Sequence, residues 1–316
     1  MTRIEMFTGK GGVGKTTMSV ATALKYAQSG KTLLISTDPS GSLSQIFSQA
    51  LDQQVIEVAS NLDAVELTRK LVLDLWRAKF GDEIYTVLSS FLPVGREIID
   101  YIEGAPGVEE EFMLDYLLTK AQSTVYQTIV WDTAPTVTTL NLLCIQQLFY
   151  THLTQAQKLY LKVKGVFAHG DPLSLINKWQ QLTAQIIAML QSETTAWVVA
   201  NPERLPVEQA LNIAASLTAF GIKVNGFILN KMLPPELCCT HPFWLAKFES
   251  QQRWRQRLLQ AAEGQQVTEI PELSGDKMVH GFLGEVAELL GKNGDVLHFP
   301  VSGQAKPLKT LRPRAS

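Results

Sequence analysis

The chain is predicted to be an α/β protein: a doubly wound, mostly parallel sheet with an inserted helical subdomain. Three observations predict this. Five short apolar runs at 4–7, 32–36, 128–131, 196–200 and 226–229 have strand length and composition, and each ends in a polar or turn-forming cluster. Segments of helical period alternate with these runs, as strand–helix–strand crossovers require. Between Asn61 and Gln122 that alternation breaks, and a dense apolar tract at 71–92 is followed by a Pro/Gly-punctuated piece and an amphipathic stretch at 110–120. In a sheet of this class the ligand crevice lies beyond the carboxyl ends of the strands, and all five polar clusters fall on that edge.

The first run leads into Gly9-Lys10-Gly11-Gly12-Val13-Gly14-Lys15-Thr16-Thr17, which satisfies G-x-x-x-x-G-K-[ST] from Gly9 to Thr16. An apolar strand precedes it and a helix-period segment with Met18, Ala21 and Leu24 follows, so the pattern stands where it has physical meaning. Glycines let backbone N–H groups converge on phosphate oxygens, and the helix N-terminus adds partial positive charge. ATP is the expected ligand. Lys15 is placed to reach the β- and γ-phosphates, and the Thr16 hydroxyl to ligate Mg²⁺. Lys10, inside the loop, marks the deviant form of this P-loop. It has two readings: a lysine that reaches a partner subunit's nucleotide where negative charge develops, or one more solvated cation beside phosphate.

The second run ends in Ser36-Thr37-Asp38-Pro39-Ser40. Asp38 there suits the orientation or deprotonation of a water for in-line attack on the γ-phosphate and, partly through water, a share in holding Mg²⁺; a plain Asx-turn is the alternative. Tracts at about 61–122 and 142–190 are read as helical and laid over the sheet. Asp132, after Ile129-Val130-Trp131, is the acidic residue expected to hold Mg²⁺ through its water shell, because Mg²⁺ gives up water reluctantly. Asn230 closes the fifth run, and its amide could read the adenine edge or cap a helix. The expected organisation is one ATPase domain over 1–301 and a basic, flexible tail over 302–316.

Composition narrows the function. Of 316 residues 46% are hydrophobic and only 18% charged, which supports a sizeable core and hints at apolar surface held for a partner. The net charge of −2 gives no electrostatic reason to expect nucleic acid or an anionic membrane as partner. No run of 18 or more apolar residues is present, so no membrane span is expected. The chain enters its first strand run at Ile4, so no leader is expected either. Cys144, Cys238 and Cys239 give no disulfide framework, consistent with a cytoplasmic protein. Adjacent cysteines suit a tetrahedral ion poorly, so zinc at Cys238-Cys239, even with His241 nearby, is not expected. Cys144 lies in an apolar helical tract and reads as a packing residue.

The motifs G-K-G-G-V-G-K-T-T at 9–17, S-T-D-P-S-x-S-L-S at 36–44, Y-x-x-I-V-W-D-T-A-P-T at 126–136 and I-L-N-K at 228–231 recur in order over residues 1–235. In this the chain resembles the ArsA-type ATPases, which include the arsenite-pump ATPase and the factor that targets tail-anchored membrane proteins. The resemblance implies a phosphate loop with Lys10, Lys15, Thr16 and Thr17, a first switch with Asp38, a second switch with Asp132, and Asn230 at adenine. It also implies a homodimer that closes on ATP and opens after hydrolysis. Two positions depart from the family pattern: Gly41 stands where the first switch has histidine, and Val137-Thr138 stand where the second has Gly-His.

The function expected is an Mg-ATP-dependent nucleotide switch whose hydrolysis is coupled to binding and release of an apolar client segment. Trp76, Phe80, Phe91, Phe112 and Met113 are the candidate client surface, unless they pack the subdomain itself. The alternatives are the motor of an arsenite or anion efflux pump, acting with a membrane protein, and a partitioning-type positioning switch. The pump reading needs several convergent thiolates, and the positioning reading a basic surface or an amphipathic membrane helix.

Overall fold

A computed structural model of the chain describes residues 2–89, 95–103, 108–134, 172–237, 241–262 and 264–272, with scattered positions between 148 and 155 and between 284 and 290. The described elements run β1 (Arg3–Gly9), α1 (Lys15–Ala27), β2 (Thr32–Ser36), α2 (Ser42–Phe47), β3 (Ile56–Ala59), β4 (Leu62–Glu66), α3 (Arg69–Ser89), α4 (Glu97–Glu103) and α5 (Val108–Gln122). They continue with β5 (Thr128–Asp132), α6 (Pro172–Ser192), β6 (Thr194–Ala200), α7 (Arg204–Phe220), β7 (Lys223–Met232), α8 (Pro242–Ala261) and β8 (Gln266–Pro271).

The strands form one sheet in the order β3-β4-β2-β5-β1-β6-β7-β8, parallel throughout except for the antiparallel β3–β4 edge pair. From β1 the chain passes over the place of β5 to form β2, and from β5 it passes β1 to form β6. The loop after β1 therefore stands at the switch point of a doubly wound sheet, as expected.

Strand period sends alternate residues to opposite faces. Ile4, Met6, Leu33, Ile35, Ile129 and Trp131 enter one core. Phe7, Leu34 and Val130 enter the other, against Met18, Val20 and Ala23 of α1. Burial on both faces makes these strands near-continuous apolar runs, which is why they were legible.

Three strands were not among the expected runs. β4 lies inside the stretch read as helical from about 61, yet it pairs with β2 from Thr32↔Leu62 to Ser36↔Glu66. The helices of that stretch begin at Arg69. Leu-Asp-Ala-Val-Glu carries two acids in five residues, so its apolar signal is weak; Asp63 accepts from Lys31 Nζ at 2.6 Å and from the Tyr126 hydroxyl at 2.9 Å. β3 and β8 are the edge strands, each short and interrupted by polar residues such as Glu57 and Glu269, so their apolar signal is weak.

Helices α3, α4, α5 and α6 layer over one face. Trp76, Phe80 and Phe112 are 3–4% exposed there, and Met113 is partly buried against them. Phe80 meets Phe112 edge-on at 5.8 Å and Trp179 at 6.0 Å between ring centroids. Of the two readings, core packing or an exposed client surface, these residues therefore show core packing. The physical reason is that α3 is covered by α4, α5 and α6 on different sides, so its apolar residues need not form a single stripe. Of the 142–190 tract, Pro172–Ser192 is one helix. Phe91, the three cysteines, Val137-Thr138 and the 302–316 tail lie outside the described residues.

Phe80→Ala removes two ring contacts from a site with little room to collapse. A loss of about 3–5 kcal/mol in folding free energy is expected, read from the shift in a denaturant unfolding curve.

Candidate functional site

The loop from Gly9 to Lys15 carries the chain from the central strand into α1. Gly14 is the N-cap of α1 at φ 97°, in the left-handed region, and a Cβ there would collide with Asn230 Nδ2. Glycine is required on both counts. The first turn of α1 has no acidic residue and no side-chain cap. Its free amides thus face the crevice, an arrangement suited to an anion. Gly11 and Gly12 are exposed, Val13 is buried as the loop's anchor, and Lys10, Thr16 and Thr17 are half-buried.

Lys15 is 5% exposed, and its ammonium reaches the Lys10 carbonyl at 3.4 Å. Burial pulls its pKa below the usual lysine value, against the pull of the Asp132 and Asp38 carboxylates. A buried cation with so loose a contact is matched by a multiply charged anion.

Asp132 ends β5 with no exposed surface. Its neighbours in the sheet rows are Ser36 of β2 and Phe7 of β1. Oδ2 accepts from the Thr16 hydroxyl at 2.9 Å and from the Ser36 hydroxyl at 3.1 Å. The Ser19 hydroxyl is shared between the Lys15 carbonyl at 2.9 Å and Asp132 Oδ1 at 3.3 Å. Burial pushes the Asp132 carboxyl up to about 6, although the Thr16 hydroxyl, the Lys15 ammonium and the Ser36 hydroxyl each oppose the shift.

Asp38 is tied to the same cluster, because its N–H donates to Ser36 Oγ at 3.2 Å. Its Oδ1 accepts from the Ser40 N–H at 3.0 Å, so the Asx-turn is present. That turn fixes the carboxylate at the crevice and leaves it half-buried. Thr37 N–H donates to the Asp132 carbonyl at 2.9 Å, and Trp131 Nε1 donates to the Thr37 hydroxyl at 3.1 Å. Gly41 is the N-cap of α2 at φ 70°, and a Cβ there would meet nothing within 4 Å. Backbone conformation, not space, is what glycine supplies at the family's histidine position.

Asn230 is buried behind the loop. Its Nδ2 donates to the Val13 carbonyl at 2.8 Å, and its Oδ1 accepts from the Lys231 N–H at 2.9 Å. It braces the loop from β7, a role neither the adenine nor the helix-cap expectation contained. Three participants were missed in the sequence. Ser36 sat inside a quoted motif, Ser19 lies one helical turn after Lys15, and Glu66, against α2, carried no local signal.

Fold and site together define the P-loop class of nucleotide hydrolases. A family model described as anion-transporting ATPase matches residues 2–291. A putative arsenical pump-driving ATPase of Aquifex aeolicus is 33% identical over 242 residues, covering 73% of this chain and 81% of the relative. The ATPase ASNA1 homolog 1 of Paramecium tetraurelia is 29% identical over 256 residues, 73% of this chain and 75% of that one. An arsenical pump-driving ATPase of Escherichia coli is 31% identical over 235 residues, 72% of this chain but 39% of its own length. The chain belongs to the anion-transporting, ArsA-type ATPase family, and is an ATP hydrolase of that type. Among the described residues, no helix is long and apolar enough to cross a membrane.

The Asp132 shift carries a stability consequence. Its folded pKa of about 6 exceeds the ordinary 3.8, so the ionised group opposes folding above about pH 6, and the penalty fades as pH falls toward 3.8. The full shift is on the order of 3 kcal/mol. Asp132→Asn is expected to raise the melting temperature of nucleotide-free protein at neutral pH by several degrees, with the gain vanishing near about pH 4. Thermal scans at the two pH values check it.

Proposed function

We propose that this protein is an Mg-ATP-dependent nucleotide switch that works as a homodimer and couples hydrolysis to grip and release of an apolar segment of a client protein. The observation that carries the switch reading is the convergence on one buried carboxylate, Asp132, of hydroxyls from the phosphate loop (Thr16) and from the segment before Asp38 (Ser36).

In this reading, the Gly9–Val13 amides and the N-terminus of α1, from Gly14 through Thr17, hold the phosphates. Lys15 neutralises the β- and γ-oxygens. Asn230 keeps the loop in place from behind and lies on the adenine side. Thr16 and Asp132 offer hard oxygen donors, the chemistry Mg²⁺ prefers, and Asp132's raised pKa marks a carboxylate that a cation would stabilise. The ion, when bound, neutralises charge on the transferred phosphoryl group. Asp38 orients the attacking water and accepts its proton. Lys10 reaches toward the partner subunit's phosphates, where a cation supplied from across an interface stabilises developing charge.

Thr16 and Ser36 both donate to the same Asp132 oxygen. Thr16 and Asp132 would hold the ion, and a change in what Asp132 accepts would alter the stance of Ser36 and of the Asp38 amide bonded to it, a route from phosphate status to the first switch. Trp76, Phe80 and Phe112 are buried in this conformation, so a client-binding surface drawn from α3 and α5 opens only by rearrangement of that layer in the ATP-bound pair.

The names of the relatives favour a second reading, an arsenite-pump motor, whose mark would be turnover stimulated by arsenite.

Lys15→Ala is expected to abolish ATP binding, and Asp38→Asn to keep binding while turnover falls about a hundredfold or more. Purifying Asp38→Asn with Mg-ATP, with Lys15→Ala as control, tests the coupling. Co-elution of proteins bearing one apolar terminal segment, absent from the control, supports the client reading. A client-free protein that arsenite accelerates would replace it with the pump motor.

A further inference from the structure

We propose that Glu66 is a positioning residue for ATP hydrolysis, setting the stance of the Asp38 segment through α2; this rests on the reading of Asp38 as the group that orients water. Glu66 is the last residue of β4 and is 3% exposed. In the sheet it stands beside Ser36, which in turn stands beside Asp132. The three side chains thus share one row at the carboxyl edge, from the second switch to the far side of the first.

The carboxylate directs both oxygens to α2. Oε1 accepts from the Leu43 N–H at 2.7 Å, and Oε2 accepts from the Ser44 hydroxyl. Ser44 Oγ accepts in turn from the Leu51 N–H at 3.1 Å, and the Leu51 carbonyl accepts from the Glu66 N–H at 2.8 Å. Segment 43–51 is thereby closed into a ring on the end of β4.

Two features make this carboxylate decisive rather than incidental. The N-cap of α2 is Gly41, which has no side chain to satisfy the first-turn amides, so Glu66 supplies the acceptor from outside the helix. Hydrogen bonds to an ionised acceptor are the strong kind, and negative charge is favoured at a helix N-terminus. Secondly, a cavity of about 320 Å³ lies between the Asp38 turn and the end of β4, lined by Asp38, Gly41, Ser44, Glu66 and Thr68 among others. Packing does not fill that side of the segment. Leu43 anchors α2 in the core below the sheet, and Glu66 fixes how the helix stands on that anchor. Asp38 lies four residues before α2 begins; its Asx-turn closes at Ser40, whose hydroxyl meets that of Ser42, the first residue of α2, at 2.7 Å, so a tilt of α2 moves the carboxylate.

The test measures ATP affinity, kcat and amide exchange at Leu43 in full-length Glu66→Ala, Glu66→Gln and Ser44→Ala, alone and with Asp38→Asn. Glu66→Ala is expected to lose Leu43 amide protection and about tenfold in kcat, with ATP affinity within about twofold of wild type. In the Asp38→Asn background it should cause no further loss, because its effect runs through Asp38. Glu66→Gln, which keeps a carbonyl for Leu43, should restore most of the rate. If Glu66→Ala does not fold, the smaller loss expected of Ser44→Ala decides, again only when Asp38 is present. An unchanged kcat, or an equal loss in both backgrounds, overturns the proposal. Wild-type turnover by Asp38→Asn alone overturns the reading of Asp38 on which it rests, a result separable from a slow Asp38→Asn with a normal Glu66→Ala.

Discussion

A carboxylate with no exposed surface sits at the centre of this molecule, and its hydrogen bonds decide where the working segments stand. Asp132 takes hydroxyls from Thr16, Ser19 and Ser36, and its backbone carbonyl takes the Thr37 amide. Removing such a group from water is costly, and the cost is visible in its raised pKa. Only the middle of a parallel sheet could hold it there. β5 is flanked by β1 and β2, so the residues that follow both neighbours arrive beside it without long loops.

Lys15 is the complement of that carboxylate. Burial disfavours the charge on both, and neither is closely paired with the other; the lysine's contact is a carbonyl at 3.4 Å. An isolated protein gains nothing from this arrangement. A site that receives a polyanion and a cation together relieves both strains at once, since each ligand charge meets the opposite fixed charge. The loop is held ready by Gly14 in the left-handed region and by Asn230, brought behind it from β7, where no larger residue fits.

The strands buried on both faces were legible because burial demands continuous apolar sequence, and the loop was legible because phosphate needs glycine and lysine at fixed spacing. β4 was not, since Asp63 and Glu66 are satisfied only by partners distant in sequence, Lys31, Tyr126 and the α2 turn. The aromatic tract misled for a related reason. Sequence shows that Trp76, Phe80 and Phe112 are apolar but not that Trp179, a hundred residues on, covers Phe80. Asp38 and Asp132 could be picked from strand ends, whereas the serines joining them could not, because a serine at a strand end has no signature until its neighbour in the sheet is known.

The connections between site and helical layer follow from the same sheet geometry. α3 starts three residues after Glu66, and the Leu67 amide bonds to the Ser36 carbonyl at 2.8 Å. α5 runs into β5, whose last residue is Asp132. Both ends of the layer that buries Phe80 and Phe112 are therefore anchored in the row Glu66–Ser36–Asp132. Within the layer itself, Lys79 grips the buried Asp115 through both oxygens at 2.6 and 2.7 Å, so α3 and α5 are tied to each other as well. Packed interfaces of this kind shift between discrete arrangements rather than deforming smoothly. A rearrangement of the row on phosphate binding would reach α3 and α5 together, and their shared core gives that small displacement a large apolar surface to act upon.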